Sequence, residues 1–255
     1  MRSASSRVSA VFPLLLTGFL AALAGCGGPV DEPQTGHYRA TLKLPGGEAP
    51  FGVEVAQENN RFVLYLENAS ERTRVDNVTV NDGELSATFP GYENTLRAKL
   101  YRDRLEGNVT LIKAQSKQQV IPFQARLGES YRFYKQSLTD NADLAGTWEM
   151  TLSSGNETTA AVAVFEQRHD RVTGTVMTPT GDHRFLQGQV HGDEAQLSTF
   201  AGGLVYLYKL KVDKQGELEG EMWQGLASHS QVKAKRNESA TLEGVGPSTQ
   251  LKDEA

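Results

Sequence analysis

The sequence predicts an all-β chain: two tandem antiparallel meander units, small barrels or sandwiches, that arose by internal duplication. Three observations predict it. Apolar and polar residues alternate with period two, turn signals rich in glycine and asparagine punctuate that alternation, and one half of the chain aligns with the other. Period-two alternation means one face buried and one wet, which is how antiparallel strands read. Turn signals spaced by roughly 8–12 residues favour hairpins over parallel crossovers.

Residues 1–25 come first and stand outside the fold. Their only charged side chains are Arg2 and Arg7, ahead of the apolar stretch "VFPLLLTGFLAALAG". A basic start, a short apolar core broken by Pro13 and Gly18, and small exit residues are the parts of a secretory signal; the core falls short of the roughly 20 residues that span a bilayer. Leu23, Ala24, Gly25 and Cys26 together resemble the bacterial lipobox, in which cleavage, here between Gly25 and Cys26, leaves an N-terminal cysteine that carries lipid. Cys26 is the single cysteine of 255 residues, so no internal disulfide competes for it. Each buried methylene contributes about 0.8 kcal/mol, and two or more acyl chains make a stable anchor. Gly27, rather than an acid, follows the cysteine. Under the sorting rule of enteric lipoproteins this implies the outer membrane, facing the periplasm, with residues 26–35 as a flexible lipidated tether. Loss of Arg2 and Arg7 leaves 24 basic against 31 acidic side chains, a net charge of −7. Such a surface does not seek nucleic acid.

The first β unit spans residues 36–127 and the second 146–236. "GHYRATL" (36–42) aligns with "GTWEMTL" (146–152) at an offset of 110 residues. Without a gap, Gln57, Arg61 and Val80 fall on Gln167, Arg171 and Val190; one insertion brings Phe89 onto Phe200, and two more bring "RLEGN" (104–108) onto "ELEGE" (217–221). Tyr38, Ala40 and Leu42 alternate with Arg39, Thr41 and Lys43, and Trp148, Met150 and Leu152 repeat the pattern. Leu96, Ala98 and Leu100 form one later apolar face, and Leu204, Tyr206, Tyr208, Leu210 and Val212 another. Seven or eight strands per copy suffice to close a small barrel and remove exposed edges. Residues 128–145 form a linker whose aromatic-basic cluster, 131–135, reads as a segment laid across a barrel end or between the units. After Arg236 the pattern stops, and 237–255 reads as a polar, mobile tail.

Chemistry-bearing constellations are few. His37, His169, His183, His191 and His229 include no helical i, i+4 pair. His183 and His191 flank a predicted strand beside Asp182 and Asp193, at turn signals where such residues are common, so neither a metal nor a cofactor is expected. There is no Gly-x-Ser-x-Gly elbow, no phosphate-cradling glycine loop, and no thiol once Cys26 is acylated, so a non-catalytic role is expected. The aromatic residues Trp148, Phe200, Tyr206 and Trp223 admit two readings: core filling, or the lining of a ligand-binding mouth inside the second unit.

The stretch from "GTWEMTL" to "GEMWQG", with "TPTGDHRFL" (178–186) and "LSTF" (197–200) as its most specific points, resembles the β-rich N-terminal region of bacterial TlpA-type thioredoxin-like lipoproteins, which are membrane-anchored thiol–disulfide reductases. The resemblance covers roughly residues 36–240. The Cys-x-x-Cys pair of that family has no counterpart here, so its reductase activity is not implied; the chain is expected to be either a stand-alone β protein or a shortened relative. A looser similarity of strand pattern to avidin-like meander barrels implies no biotin site. Together these readings imply a membrane-anchored envelope lipoprotein, bound to the bilayer through acylated Cys26, that serves as a spacer or an interaction module for an envelope protein partner. The alternative is a small-ligand binder using the second unit.

Overall fold

A computed structural model of the protein describes residues 28–112 and 117–242. The secretory signal, its cleavage point between Gly25 and Cys26, and the lipid-bearing Cys26 lie outside the described residues.

The described chain is all-β. The first copy holds β1 (Gly36–Leu44), β2 (Gly47–Glu58), β3 (Arg61–Asn68), β4 (Glu71–Val75), β5 (Asn77–Asn81), β6 (Glu84–Thr88), β7 (Thr95–Leu100), β8 (Arg104–Ile112) and β9 (Gln118–Leu127). The second holds β10 (Gly146–Ser154), β11 (Glu157–Arg168), β12 (Arg171–Thr178), β13 (Gly181–Asp182), β14 (Leu186–His191), β15 (Glu194–Phe200), β16 (Val205–Val212), β17 (Leu218–Gln224) and β18 (Ser228–Arg236). Each copy is an antiparallel meander whose last strand returns to pair with its first, β9 with β1 and β18 with β10.

The copies differ in closure. In the second, β11 pairs with β12 and β12 with β14, which closes a barrel of eight strands with β13 appended. In the first, residues 71–81 bend at Asp76. The first half, β4, pairs with the end of β3, while β5 pairs only with β6. The start of β3 therefore has no ladder partner on that side, and the barrel is nearly closed. Two glycines of the second copy stand at the strands that make this closing pair. A Cβ on Gly174 would sit 2.1 Å from the Val164 carbonyl oxygen, and one on Gly188 would sit 2.0 Å from that of Gln196. Backbones this close need a residue without a side chain. At the offset of 110 the first copy carries Leu64 and Val78 instead.

Inward residues follow the alternation. Tyr38, Ala40 and Leu42 are buried in the first barrel; Trp148 and Met150 are no more than 1% exposed in the second, and the Trp148 Nε1–H donates to the Leu144 carbonyl at 2.9 Å. Leu204 departs from the expected face: it precedes β16 and is 38% exposed.

The two barrels do not hang separately on a linker. The outer face of β15, β16 and β17 carries Phe200, Val205, Leu207 and Trp223, and all four pack into the core of the first barrel. Phe200 meets Phe51 at 5.1 Å and its repeat equivalent Phe89 at 5.3 Å, both edge-on. The β1–β2 turn presses on Trp223, since a Cβ on Gly46 would lie 2.4 Å from the indole. One mouth of the first barrel is thus stoppered by the side wall of the second. The N-terminal segment crosses the opposite end. Pro29 bridges to Tyr101, Val30 N–H donates to the Leu100 carbonyl at 3.1 Å, and the Tyr38 hydroxyl donates to the Gln34 carbonyl at 2.7 Å. Residues 28–35, expected as flexible tether, are held against the barrel. So is the start of the tail: Asn237 N–H donates to the Thr147 carbonyl at 2.9 Å, and residues 243–255 lie outside the described residues.

Candidate functional site

The four aromatic positions singled out in the sequence do not converge. Trp148 and Tyr206 face into the second barrel, whereas Phe200 and Trp223 point out of it into the first. Each pair belongs to a different core and the four line no common mouth, because neighbouring strand positions face opposite ways and Trp223 and Met222 differ by one. Inside the second barrel the space around Trp148 is filled by Met150, Phe165, Leu197 and Tyr208, each 2% exposed or less.

A polar cluster sits within that interior. His183 Nδ1 and the Tyr208 hydroxyl share a hydrogen bond of 2.5 Å, and the imidazole stacks on Tyr206 at 4.0 Å. Burial pushes His183 down to about 4, opposed in part by Asp182. It also pushes Tyr206 up to about 12 and Tyr208 well above the ordinary phenol range. A neutral imidazole set between two neutral phenols brings no charge into the barrel core that it caps. Sequence spacing did not reveal it, since the residue enters from a left-handed corner at Arg184 between β13 and β14.

The more open concavity lies where the linker runs between the barrels. It is a cleft of about 540 Å³ walled by β1, the β3–β4 turn, the linker and Gln187 of the second barrel. The linker's Arg132 organises it. Its Nη2 donates to Asn68 Oδ1 and to the Ser198 carbonyl, each at 2.9 Å, while its own carbonyl accepts from Arg39 Nε at 3.0 Å. Asn68 in turn donates to the Phe200 carbonyl at 2.9 Å, and Ser198 Oγ donates to the Pro50 carbonyl at 2.5 Å. One side chain from the linker therefore ties a strand of each barrel. Arg132 is 9% exposed, and burial, aided by the nearby Arg39 charge, pushes its guanidinium down to about 9. Desolvating a charge without an opposite partner is unfavourable, so this residue stores a cost that its neutral hydrogen bonds only partly offset.

On either side of Arg132 the linker binds the second barrel. Gln189 Oε1 accepts from Phe133 N–H at 2.7 Å and Tyr134 N–H at 2.9 Å, and Tyr134 stacks on His191 at 4.4 Å. The aromatic-basic cluster of the sequence is thus an inter-barrel joint. On the outer face of β1, β2 and β3, ligand atoms of His37, Glu54 and Glu67 lie within 4.8 Å of one another. Arg72 already occupies this group, with Nη2 2.5 Å from Glu54 and Nε 3.4 Å from Glu67, so a guanidinium supplies the charge that a metal ion would bring.

No protein family and no curated protein matches the chain. Among solved structures it is similar to a protein of unknown function from the DUF3598 family of Nostoc punctiforme, with 9% identity and a TM-score of 0.30 over 80% of this chain and 96% of that one. It is also similar to a candidate outer membrane protein of Bacteroides fragilis, with 10% identity and a TM-score of 0.24 over 78% and 95% of the two chains. Likeness at this level carries no functional argument.

Proposed function

We propose that the protein is a non-catalytic envelope lipoprotein, anchored through Cys26 in the outer membrane on its periplasmic side, whose two interlocked barrels act as a rigid spacer and protein-interaction module. Kinship with the N-terminal region of TlpA-type reductases, without their redox chemistry, belongs to this reading. The observation that most supports it is the shared core: Phe200, Val205, Leu207 and Trp223 of one barrel complete the interior of the other. Both interiors are filled by the protein's own side chains, so recognition falls to the outer surface. The pinned segment 28–35 adds that the stoppered assembly sits close to its anchor, because only Gly27 separates Cys26 from the described chain.

Cys26→Ser tests the anchor. The expected result is loss of lipid labelling with release to the soluble fraction or accumulation of unprocessed precursor; normal processing with membrane retention overturns it. The absence of an exchangeable thiol is tested by insulin disulfide reduction, which should stay at background with any electron donor.

A further inference from the structure

One outer wall of the first barrel carries a charge opposite to that of the whole chain, which has an excess of acids. On β6, β7, β8, β9 and β1 the outward side chains include six cations, Arg97, Lys99, Arg104, Arg126, Arg39 and Lys43, against two acids, Glu84 and Glu106. The register lines three of the cations up. Arg126 on β9 lies directly opposite Arg104 on β8 and Arg39 on β1, and like charges directly opposite one another are unfavourable. Arg104 turns to Glu106 and Asp103, and Arg39 to Glu48 and the Arg132 carbonyl. Arg126, Arg97, Lys99 and Lys43 are exposed, and their side chains make no ion pair or hydrogen bond among the described residues. The fold leaves these four charges open to solvent without a counter-ion.

The same wall carries hydrocarbon. Val120, outward on β9, is 52% exposed, and Pro122 follows it on that face. Exposed cations beside exposed apolar groups suit the headgroup layer of an anionic bilayer. The chain's path points the same way. Pro29 bridges to Tyr101, in the turn between β7 and β8, so the N-terminal segment leaves the barrel at the foot of this wall. At 3.8 Å per residue, Cys26 lies at most about 11 Å from Pro29. The acids near that foot are Asp103, already paired with Arg104, and Asp31 and Glu32 of the pinned segment, so the attraction runs along the wall rather than at the barrel end. We propose that the β7–β8–β9–β1 wall is a membrane-docking face that lies against anionic phospholipid headgroups, with Arg97, Lys99 and Arg126 meeting phosphates. The adjoining anchor and the exposed Val120 favour lipid over nucleic acid, which offers phosphates without hydrocarbon. The proposal rests on the envelope reading for a bilayer within reach and deepens it: the first barrel lies along the membrane instead of standing on its end.

Vesicle co-sedimentation tests it. The mature chain from residue 26 with Cys26→Ser carries no lipid and keeps every strand, so its binding reports the wall and not acyl chains. With vesicles of phosphatidylethanolamine and phosphatidylglycerol, about 7 to 3, in about 50 mM salt, partitioning should exceed that into phosphatidylethanolamine and phosphatidylcholine by about tenfold or more, and should vanish at about 0.5 M salt. Arg97→Gln, Lys99→Gln and Arg126→Gln should each lower it about fivefold. Arg168→Gln with Arg171→Gln, which removes two exposed cations from the second barrel, should leave it within about twofold. Arg126→Gln should also hold or raise the melting temperature, by up to about 2 °C, because it relieves the repulsion across β8, β9 and β1; binding lost through unfolding would lower it. Equal partitioning into the two kinds of vesicle, undiminished binding by the triple Arg97→Gln, Lys99→Gln, Arg126→Gln variant, or tighter binding to a single-stranded oligonucleotide than to the anionic vesicles each overturns the proposal. Lipid labelling of Cys26 is read separately: labelling without a vesicle preference keeps the anchor and removes the docking face, and a vesicle preference without labelling does the reverse.

Discussion

The two copies part company at one corner. Where β12 meets β14, residues 171–174 pair with 186–189 and the second barrel closes; at the matching place in the first, β3 and β5 approach without a ladder. The residues that differ are Gly174 and Gly188 against Leu64 and Val78. A strand coils sharply into a small barrel only where side chains do not crowd the neighbouring backbones, and at these two glycines the crowding would fall on β11 and β15, the strands that flank the closing pair. A second contrast follows the same logic outside the barrels. The second copy buries both faces of β15 and β16, one in its own core and one in its neighbour's, whereas the first copy wets its equivalent outer face.

The largest effect should come from the repeat-equivalent pair at the start of each copy. Trp148→Ala, at 0% exposure, is expected to cost about 3–5 kcal/mol in chemical denaturation, and Tyr38→Ala somewhat less, because the phenol reaches Gln34 near the barrel end. The outward neighbour Glu149→Ala should cost under about 0.5 kcal/mol. Equal effects at Trp148 and Glu149 would refute the strand register. Because the barrels share a core, both changes should shift a single transition of the whole chain, and Phe200→Ala, about 3 kcal/mol by the same measure, should lower it too.

The seam comes next. Gly188→Val places the first copy's residue in the second copy and should cost about 3 kcal/mol, at the upper end for overpacking, with faster amide exchange in β12 and β14. The reverse change, Val78→Gly, should cost about 1 kcal/mol, since Val78 is only half-buried beside an open seam. Similar costs for the two would mean that the glycines do not set closure.

The smallest effect near neutral pH becomes large in acid. His183 is 7% exposed, with its folded pKa near 4 against an ordinary value of 6.5. The unfolded chain takes up a proton that the folded chain refuses, so stability is unaffected above about pH 6.5, falls by about 3 kcal/mol on the way down to pH 4, and is flat below as far as this group goes. His183→Gln should remove that part of the slope. An unchanged slope would place the acid sensitivity elsewhere.

Much of this architecture was legible in the sequence. Inward positions such as Tyr38, Leu96, Trp148 and Tyr208 obey strict alternation, and the offset of 110 residues aligns strands that the structure makes equivalent. The joint was not legible, because Phe200 and Trp223 are apolar like core residues and periodicity does not say whose core they enter. A signal was present in the unbroken apolar run 205–208, which marks a strand covered on both faces. The cleft left no local signal at all. Arg132 on the linker, Asn68 on β3 and Ser198 on β15 are unremarkable as types; only the docking of the barrels makes them neighbours.

A mouth set on a wall joins two unlike surfaces, and such heterologous contacts repeat into filaments wherever every unit carries both. Here the wall is sticky in one copy alone. Thr95 pairs with Thr110 in the first barrel as Leu207 pairs with Trp223 in the second, and Glu93 stands where the second has Val205. The first barrel thus presents hydroxyls and a charge where an incoming mouth would need hydrocarbon, and its own mouth is already occupied from within the chain. The duplication therefore terminates after a single joint, and a geometry capable of endless head-to-tail growth is confined to a pair.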